Sequence, residues 1–227
     1  MSLKIKGWRG AVKWSVWGVL SLLFLIFFVK VATYEASYYS EKEGSERAVA
    51  GTTVDTEELI EEEPSEQEVR EYVVAPDRPR YLSISKLGIN KARILPMGVN
   101  ASGELDTPQN IFDVGWYEAS GKPGQGGTMV IDGHNGGPHV LGVFKNLPNL
   151  EEGDIVTVER GDGIIYDYAV VENVTVSLDE ADAYMATAAK SPRHGEESIT
   201  LISCTGEWSQ QQQTYLSRQF VRAVLAE

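Results

Sequence analysis

The sequence predicts a mainly β domain, either a closed barrel or a sandwich, that follows one membrane-spanning helix. Beyond Tyr81, short runs of alternating or β-branched residues recur between turns rich in Gly, Pro, Asn and Asp. Gly161-Asp162-Gly163 separates two of these runs and is typical of a β-hairpin. Seven or eight short strands with few helices, over about 145 residues, are characteristic of barrels and sandwiches.

Residues 1–13 are predicted to form a basic cytoplasmic segment, and residues 14–32 a transmembrane helix. No charged side chain occurs between residues 14 and 29, and the apolar run reaches residue 32 if Lys30 extends to the lipid headgroups. Its length is close to the roughly 20 residues that cross a hydrocarbon core. Basic residues precede the run and acidic residues follow it, so the positive-inside rule predicts a single-pass cell-membrane protein with an extracytoplasmic domain. A cleaved signal peptide is the alternative, but VATYEAS is a poor cleavage site.

Residues 33–77 are predicted to be an acidic extracytoplasmic stalk. They are rich in Glu and are interrupted by Pro64 and Pro76. Residues 57–71 could form a loose helix, but its apolar face is too thin to pack on much. We therefore expect a solvated linker that leads to a folded domain at residues 78–227.

The strands and helices of this domain follow from its local patterns. Two segments, 140–147 and 179–189, have helical patterning, and the Gln-rich segment 210–213 is predicted to be a mobile loop. The predicted strands are YLSIS (81–85), ARILPMGV (92–99), TMVIDG (128–133), DIVTVER (154–160), IIYDYAVVENVTV (164–176), SITLISC (198–204) and YLSRQFVRAVL (215–225).

Charge and cysteine content exclude several functional classes. The chain has 20 basic and 33 acidic residues, a net charge of −13, which argues against nucleic-acid binding. Its single cysteine, Cys204, permits neither an intrachain disulfide nor a four-cysteine zinc site. No motif suggests an organic cofactor.

Two reactive side chains stand at the ends of predicted strands. His134 follows TMVIDG, and Cys204 ends SITLISC. Arg218 lies in the last predicted strand, where a buried arginine needs a partner or a pocket. Arg222 follows four residues later and faces the same side of the strand, so strand alternation does not separate the two. A thiolate nucleophile, an imidazole acid/base and a guanidinium that holds an oxyanion form a coherent catalytic set.

Less specific interpretations of the same residues stay open. A lone strand cysteine is usually a small buried hydrophobe, and a histidine after a strand is often a turn residue. Asp132, His134 and His139 could form a metal site, but their spacing in a Gly-rich loop is a weak signal, and we assign no metal.

At these residues the sequence resembles the sortases, membrane-anchored cysteine transpeptidases of bacterial cell envelopes. The family's TLxGH-like, TLxTC and closing-strand Arg motifs correspond to VIDGH (130–134), TLISC (200–204) and RQFVRA (218–223). Three longer stretches resemble the actinobacterial-type sortases of classes E and F, and these are residues 81–108, 113–134 and 142–158.

The resemblance implies an eight-stranded closed β-barrel with one or two short helices at residues 78–227. It implies His134 as general acid/base, Cys204 as nucleophile and Arg218 as the clamp for substrate and oxyanion. It also implies cleavage of an LPxTG-like C-terminal sorting signal between Thr and Gly through a thioester. The partners would be surface proteins that carry such a signal and a peptidoglycan-precursor (lipid II-type) or other amine acceptor.

Two positions depart from the family motifs. Val130-Ile131 replaces the TL of the TLxGH-like motif and keeps its β-strand character. Ser203 replaces the Thr before the cysteine, and it keeps a hydroxyl that we predict to contact substrate. The Gln-rich loop 207–214 lies where the family's loop shapes specificity. No acidic set matches the calcium site of some class A sortases, and the stalk has no aromatic lid motif of the pilin-polymerising class.

Two other functions compete with a sortase. An L,D-transpeptidase would place an Arg directly after the Cys-x pair, where this chain has Thr205-Gly206-Glu207, and papain-like wall peptidases have Cys before His. A non-catalytic, membrane-tethered domain with a sortase fold is the third hypothesis, against which stands the presence of all three reactive residue types.

Overall fold

A computed structural model describes residues 59–100, 103 and 105–226. The predicted cytoplasmic segment, the transmembrane helix 14–32 and most of the stalk lie outside these residues, so they stay predictions. Within the described part of the chain, no helix has the length and apolar character needed to cross a membrane.

Eight strands close into a barrel in the order β1-β2-β3-β4-β7-β8-β6-β5. The β2–β3 and β4–β7 pairs are parallel, and the other pairs are antiparallel. The barrel closes because β1 pairs with β5 as well as with β2. The strands are β1 (Pro79–Ile84), β2 (Ile89–Met97), β3 (Val114–Tyr117), β4 (Thr128–Gly133), β5 (Ile155–Arg160), β6 (Ile165–Ser177), β7 (Ser198–Ser209) and β8 (Thr214–Leu225).

Two α-helices accompany the barrel in the described residues. Helix α1 (Glu66–Glu71) begins with a capping box between Ser65 and Glu68, which satisfies two backbone N–H groups at its N-terminus. Helix α2 (Leu178–Ala188) joins β6 to β7 and packs on the outside of the barrel. Short 3₁₀ turns occur at Ser85–Leu87 and Leu147–Asn149.

Side chains alternate between the barrel interior and its outer surface, as strand geometry requires. Met129, Ile131 and Leu201 point inward, where they join the main apolar core. A smaller cluster covers the outer face of β4, β7 and β8 beneath α2, and its buried members are Val130, Ala188, Ile202 and Phe220. This outer wall is the surface on which the candidate site is built.

The structure confirms the mainly β class and resolves it as a barrel. The hairpin at Gly161-Asp162-Gly163 and the helix predicted at 179–189 are both present. Strand β3 was not predicted, because its four residues, which include Gly115, are too short to show a period.

The helix predicted at 140–147 is wrong. Instead, the segment after β4 returns on itself, with a bridge between Gly136 and Leu141 and a 2.9 Å hydrogen bond from the Gly142 N–H to the Asn135 carbonyl oxygen. A Cβ at residue 142 would overlap the His134 carbonyl, so this glycine permits the close return. Local apolar spacing does not reveal such a contact.

Candidate active site

Strands β4 and β7 lie side by side and parallel, and this pairing brings His134 and Cys204 to one end of the barrel. The ladder between them ends with Asp132 opposite Ile202. The same offset, continued by two residues, places His134 beside Cys204. Because neighbouring strands are about 4.8 Å apart, residues at this position are close neighbours.

The Ser203 hydroxyl joins the two strands immediately before the reactive residues. It donates a 2.9 Å hydrogen bond to the Gly133 carbonyl oxygen, and its side chain is buried. Gly133 is needed here because a Cβ would lie 2.6 Å from the ring of Phe144. This geometry favours a positioning role for Ser203 over the direct substrate contact that the sequence predicts.

Strands β7 and β8 form the second pairing of the site, in which Cys204 lies directly opposite Arg218. The guanidinium donates to the carbonyl oxygens of Tyr215 and Ser217 at 2.9 and 3.1 Å and to Thr214 Oγ1 at 3.2 Å. Within the described part of the chain it has no carboxylate partner. A positive charge that no acid neutralises thus lies one strand away from the thiol.

Strand alternation places these side chains on the outer wall, next to the apolar cluster beneath α2. Each of them lies two residues from a member of this cluster on its own strand, so its side chain points to the same face of the strand as that member. The pairs are Asp132 with Val130, Cys204 with Ile202, and Arg218 with Phe220. The apolar cluster, together with α2 that covers it, therefore borders the three polar side chains on this wall.

The His134 imidazole has one hydrogen bond in the described structure. Its Nε2–H donates to the Pro108 carbonyl oxygen at 2.7 Å. Because a carbonyl only accepts, the neutral ring carries its proton on Nε2 and keeps a lone pair on Nδ1. Burial lowers the pKa of His134, and the hydrogen bond to Pro108 opposes this effect. The ring is therefore neutral at pH 7 and able to accept a proton.

Cys204 is half-buried, and it is the one cysteine of the chain. Burial raises the pKa of the thiol above its usual 9.0, the Arg218 charge lowers it, and Asp132 raises it. No hydrogen bond joins the Cys204 and His134 side chains among the described residues. The raised pKa of the thiol and the lowered pKa of the imidazole both favour the uncharged forms of the two side chains before substrate binds.

Arg222, the alternative to Arg218, is occupied elsewhere. It is buried and donates to Glu172 Oε2 at 2.5 Å and to the carbonyl oxygens of Thr187 and Lys190 at 3.3 and 3.0 Å. These contacts tie the C-terminal end of α2 to the barrel. The geometry therefore favours Arg218 as the arginine of the site.

Asp132 is a neighbour of the site that sequence reasoning treated only as a weak metal ligand. Its carboxylate packs over Gly115, where a Cβ would lie 2.5 Å from Oδ1. Burial raises the pKa of Asp132 to about 7, and a hydrogen bond with the Thr107 side chain opposes the rise. In the sequence, the sign of this proximity is that Asp132 stands two residues before His134, a spacing that places two strand side chains on the same face.

The described residues do not form a metal site of the kind considered from the sequence. No group of three or more His, Cys, Asp or Glu side chains among them could hold a metal ion. His139 instead donates from Nδ1 to Glu61 Oε2 at 2.8 Å.

A closed barrel that presents one thiol, one imidazole and one arginine without an acidic partner on adjoining strands suits a cysteine-nucleophile enzyme. The family model described as Sortase domain matches residues 82–226. The chain belongs to the sortase family, and its function is, in general terms, that of a sortase transpeptidase. This match decides against the L,D-transpeptidase alternative.

Several solved sortases resemble the structure. Sortase C1 of Streptococcus agalactiae, in complex with MTSET, is 20% identical, with 70% of this chain and 73% of that chain covered and a TM-score of 0.50. A Clostridium perfringens sortase D5 transpeptidase is 22% identical, with 72% of this chain and 90% of that chain covered and a TM-score of 0.46. Streptococcus pneumoniae sortase C is 21% identical, with 68% of this chain and 72% of that chain covered and a TM-score of 0.48. At 20% identity the likeness to sortase C1 shows the fold alone, and the resemblance to classes E and F stays a prediction. A comparison with curated protein sequences finds no match.

Proposed function

We propose that this sortase cleaves an LPxTG-like sorting signal between Thr and Gly and transfers the protein to an amine of a peptidoglycan precursor. The observation that carries the proposal is the pairing of Cys204 with Arg218 across β7 and β8, with His134 beside them at the end of β4. The wider family membership supports the reaction class, and the signal and acceptor come from the resemblance of the sequence motifs.

The first step forms a thioester. The Cys204 sulfur attacks the Thr carbonyl carbon, its proton passes to His134 Nδ1, and the negative charge moves onto the carbonyl oxygen. Collapse of this intermediate breaks the C–N bond, and His134 donates the proton to the leaving Gly amine. The acyl group then remains on sulfur.

The second step reverses the proton movements. His134 takes a proton from the incoming amine, whose nitrogen attacks the thioester carbonyl. The C–S bond breaks, and the Cys204 sulfur regains a proton. The products are a new amide and the enzyme in its starting state.

Arg218 is suited to stabilise the oxyanion in both steps. Its guanidinium has only carbonyl and hydroxyl partners among the described residues, so its charge is available to a developing negative oxygen. The planar donor fork can also hold a substrate carbonyl before the attack.

The setting of this reaction follows from the sequence. A transmembrane helix at 14–32 would fix the domain at the outer face of the cell membrane. There it meets secreted proteins that carry the sorting signal and membrane-bound precursors that supply the amine. The acidic segment beyond residue 32 would keep the barrel clear of the lipid surface.

Intact mass spectrometry of the full chain in detergent micelles tests the proposal. The chain is incubated with LPxTG-like and LAxTG-like peptides, with Cys204→Ala alongside. We expect an adduct equal to the fragment that ends in Thr, absent from Cys204→Ala. A folded chain with an alkylatable thiol that gives no adduct with any peptide would overturn the proposed reaction.

A further inference from the structure

Residues 60–62, which we call the N-terminal strap, are hydrogen-bonded to the loop before β3. The Ile60 N–H donates to the Gln109 carbonyl oxygen at 2.9 Å, and the Ile111 N–H donates to the Ile60 carbonyl oxygen at 3.1 Å. Asn110 Nδ2 donates to the Glu62 carbonyl oxygen at 3.0 Å. The strap therefore belongs to the folded domain, although it precedes the first strand.

Glu61, at the centre of the strap, binds the loop that follows His134. Its Oε1 accepts the backbone N–H groups of His139 and Val140 at 2.8 and 3.1 Å, and its Oε2 accepts His139 Nδ1–H at 2.8 Å. A Cβ at Gly137 would overlap this carboxylate, so the loop backbone lies directly against it. One side chain thus satisfies three donors at the tip of the loop.

The loop transmits this contact to His134 through its own hydrogen bonds. The Gly137 N–H donates to the Val140 carbonyl oxygen at 2.9 Å. At its base, the Phe144 N–H donates to the His134 carbonyl oxygen, also at 2.9 Å. Residues 134–144 therefore form one connected unit with His134 at one end and the Glu61 contact at its tip.

The strap also holds the hydrogen-bond acceptor of the imidazole. Pro108, whose carbonyl oxygen accepts His134 Nε2–H, directly precedes Gln109, whose carbonyl oxygen accepts the Ile60 N–H. The backbone of His134 and the acceptor of its ring are thus both linked to residues 60–62. Neither link passes through Cys204 or Arg218.

We propose that Glu61 is a positioning residue for His134, an inference that rests on the proposed function. Its carboxylate fixes the 135–142 loop, and through the loop it sets the direction in which the imidazole meets the thiol and the leaving amine. The acidic segment before the barrel is then part of the catalytic apparatus as well as a spacer.

The variants are made in the full chain in detergent micelles. Glu61→Ala removes all three contacts, whereas Glu61→Gln keeps one oxygen for the two backbone N–H groups. Glu62→Gln is the matched control, because its side chain has no hydrogen bond or ion pair in the described structure.

Amide hydrogen exchange measures the loop directly. Exchange at residues 137–141 should be about tenfold faster in Glu61→Ala, since a charge-assisted contact to the backbone is lost. Glu61→Gln should restore much of the protection, and Glu62→Gln should match the natural chain. Unchanged exchange in Glu61→Ala would overturn the proposal.

The histidine side-chain NMR signals measure the ring. The chain has 3 histidines, so the His134 signal is assigned by comparison with His134→Ala. Glu61→Ala should shift or broaden it, and Glu62→Gln should leave it in place. A His134 signal that does not respond would overturn the positioning role.

The rate of thioester formation connects position to chemistry. Glu61→Ala should slow it about tenfold to a hundredfold, with the peptide KM little changed, because misplaced proton transfer affects kcat. Glu61→Gln should recover most of the rate. If the loop loosens but the rate stays the same, the inference is wrong.

A natural chain that forms no thioester would instead contradict the proposed function. The exchange and NMR measurements would still decide whether Glu61 positions His134, because neither of them requires a substrate.

Discussion

Arg218 and Arg222 lie on the same face of β8, four residues apart, yet their surroundings are opposite. Arg222 is buried, with an ion pair to Glu172 and two carbonyl acceptors at the end of α2. Arg218 lies opposite Cys204, with hydroxyl and carbonyl acceptors but no carboxylate in the described part of the chain. The first charge is neutralised to hold a helix, and the second is available to a reaction.

The comparison shows how one strand serves structure and chemistry at once. A buried charge without a partner is costly, so Arg222 must keep Glu172. Arg218 lies closer to the open β7–β8 hairpin, where solvent and backbone carbonyls can support a charge without an acid. The two arginines therefore differ in their surroundings, and this difference supports the role proposed for Arg218.

The largest effect is expected from substitution of Cys204, which lies opposite Arg218 across β7 and β8. Cys204→Ala should abolish thioester formation completely, because no other thiol is present in the chain. The free energy of unfolding should change little, since the Cys204 thiol has no hydrogen bond to any residue that the structure describes. Mass spectrometry with substrate peptide and thermal unfolding measure the two effects. An unfolded variant would support a structural cysteine instead.

Substitution of each arginine by lysine should distinguish the candidate site around Arg218 from the structural contacts of Arg222. Arg218→Lys should reduce kcat/KM about 10²- to 10³-fold, because a point-charge ammonium does not replace the planar donor fork. Arg222→Lys should keep most of kcat but lower stability by roughly 1–3 kcal/mol, as the helix-end carbonyls lose donors. Peptide kinetics and urea unfolding of both variants test this. The reverse pattern would assign the site to Arg222.

Removal of the acid partner of Arg222 should affect stability alone. Glu172→Gln leaves a buried guanidinium without a counter-charge, which should destabilise the fold by about 2–4 kcal/mol. The rate of thioester formation by the folded fraction should be near that of the natural chain. A loss of rate as large as that of Arg218→Lys would show that the two ends of β8 are coupled.

The effect expected at Asp132 is confined to neutral and alkaline pH. Burial raises the folded-state pKa of Asp132 from 3.8 to about 7. Below pH 3.8 Asp132 is protonated in both the folded and the unfolded chain, and its contribution to the free energy of unfolding is fully present. This contribution is lost as the pH rises through about 7. Asp132→Asn lacks this loss, so it should be more stable than the natural chain at pH 8, by roughly 2–4 kcal/mol, and similar to it at pH 4.

The same substitution should alter the thiol. The charge on Asp132 raises the pKa of Cys204, so Asp132→Asn should lower that pKa and speed alkylation of Cys204 by iodoacetamide at pH 8. An alkylation profile identical to that of the natural chain would show that Asp132 does not influence the thiol.

Much of the fold could be predicted because its strands carry local signals. β4, β5 and β6 are close to their predicted limits, and the helix at Leu178–Ala188 begins within a residue of the predicted start. β7 and β8 extend into a longer hairpin than expected, because its outer part is stabilised by pairing, as between Trp208 and Tyr215, and not by apolar alternation. The loop after His134 is set by glycine contacts that local spacing does not show.

The sequence by itself determined the β class, the reactive residue types and, through its motifs, the family to which the chain belongs. The motif resemblance also pointed to Arg218, although strand parity did not separate it from Arg222, and the tertiary structure supplied the physical difference between the two. Only the tertiary structure placed Asp132 beside the thiol and brought Glu61 to the loop after His134. The reason is physical. Side-chain direction follows from local alternation, which a sequence displays, whereas a partner depends on strand register and on close backbone approach between segments far apart in the chain.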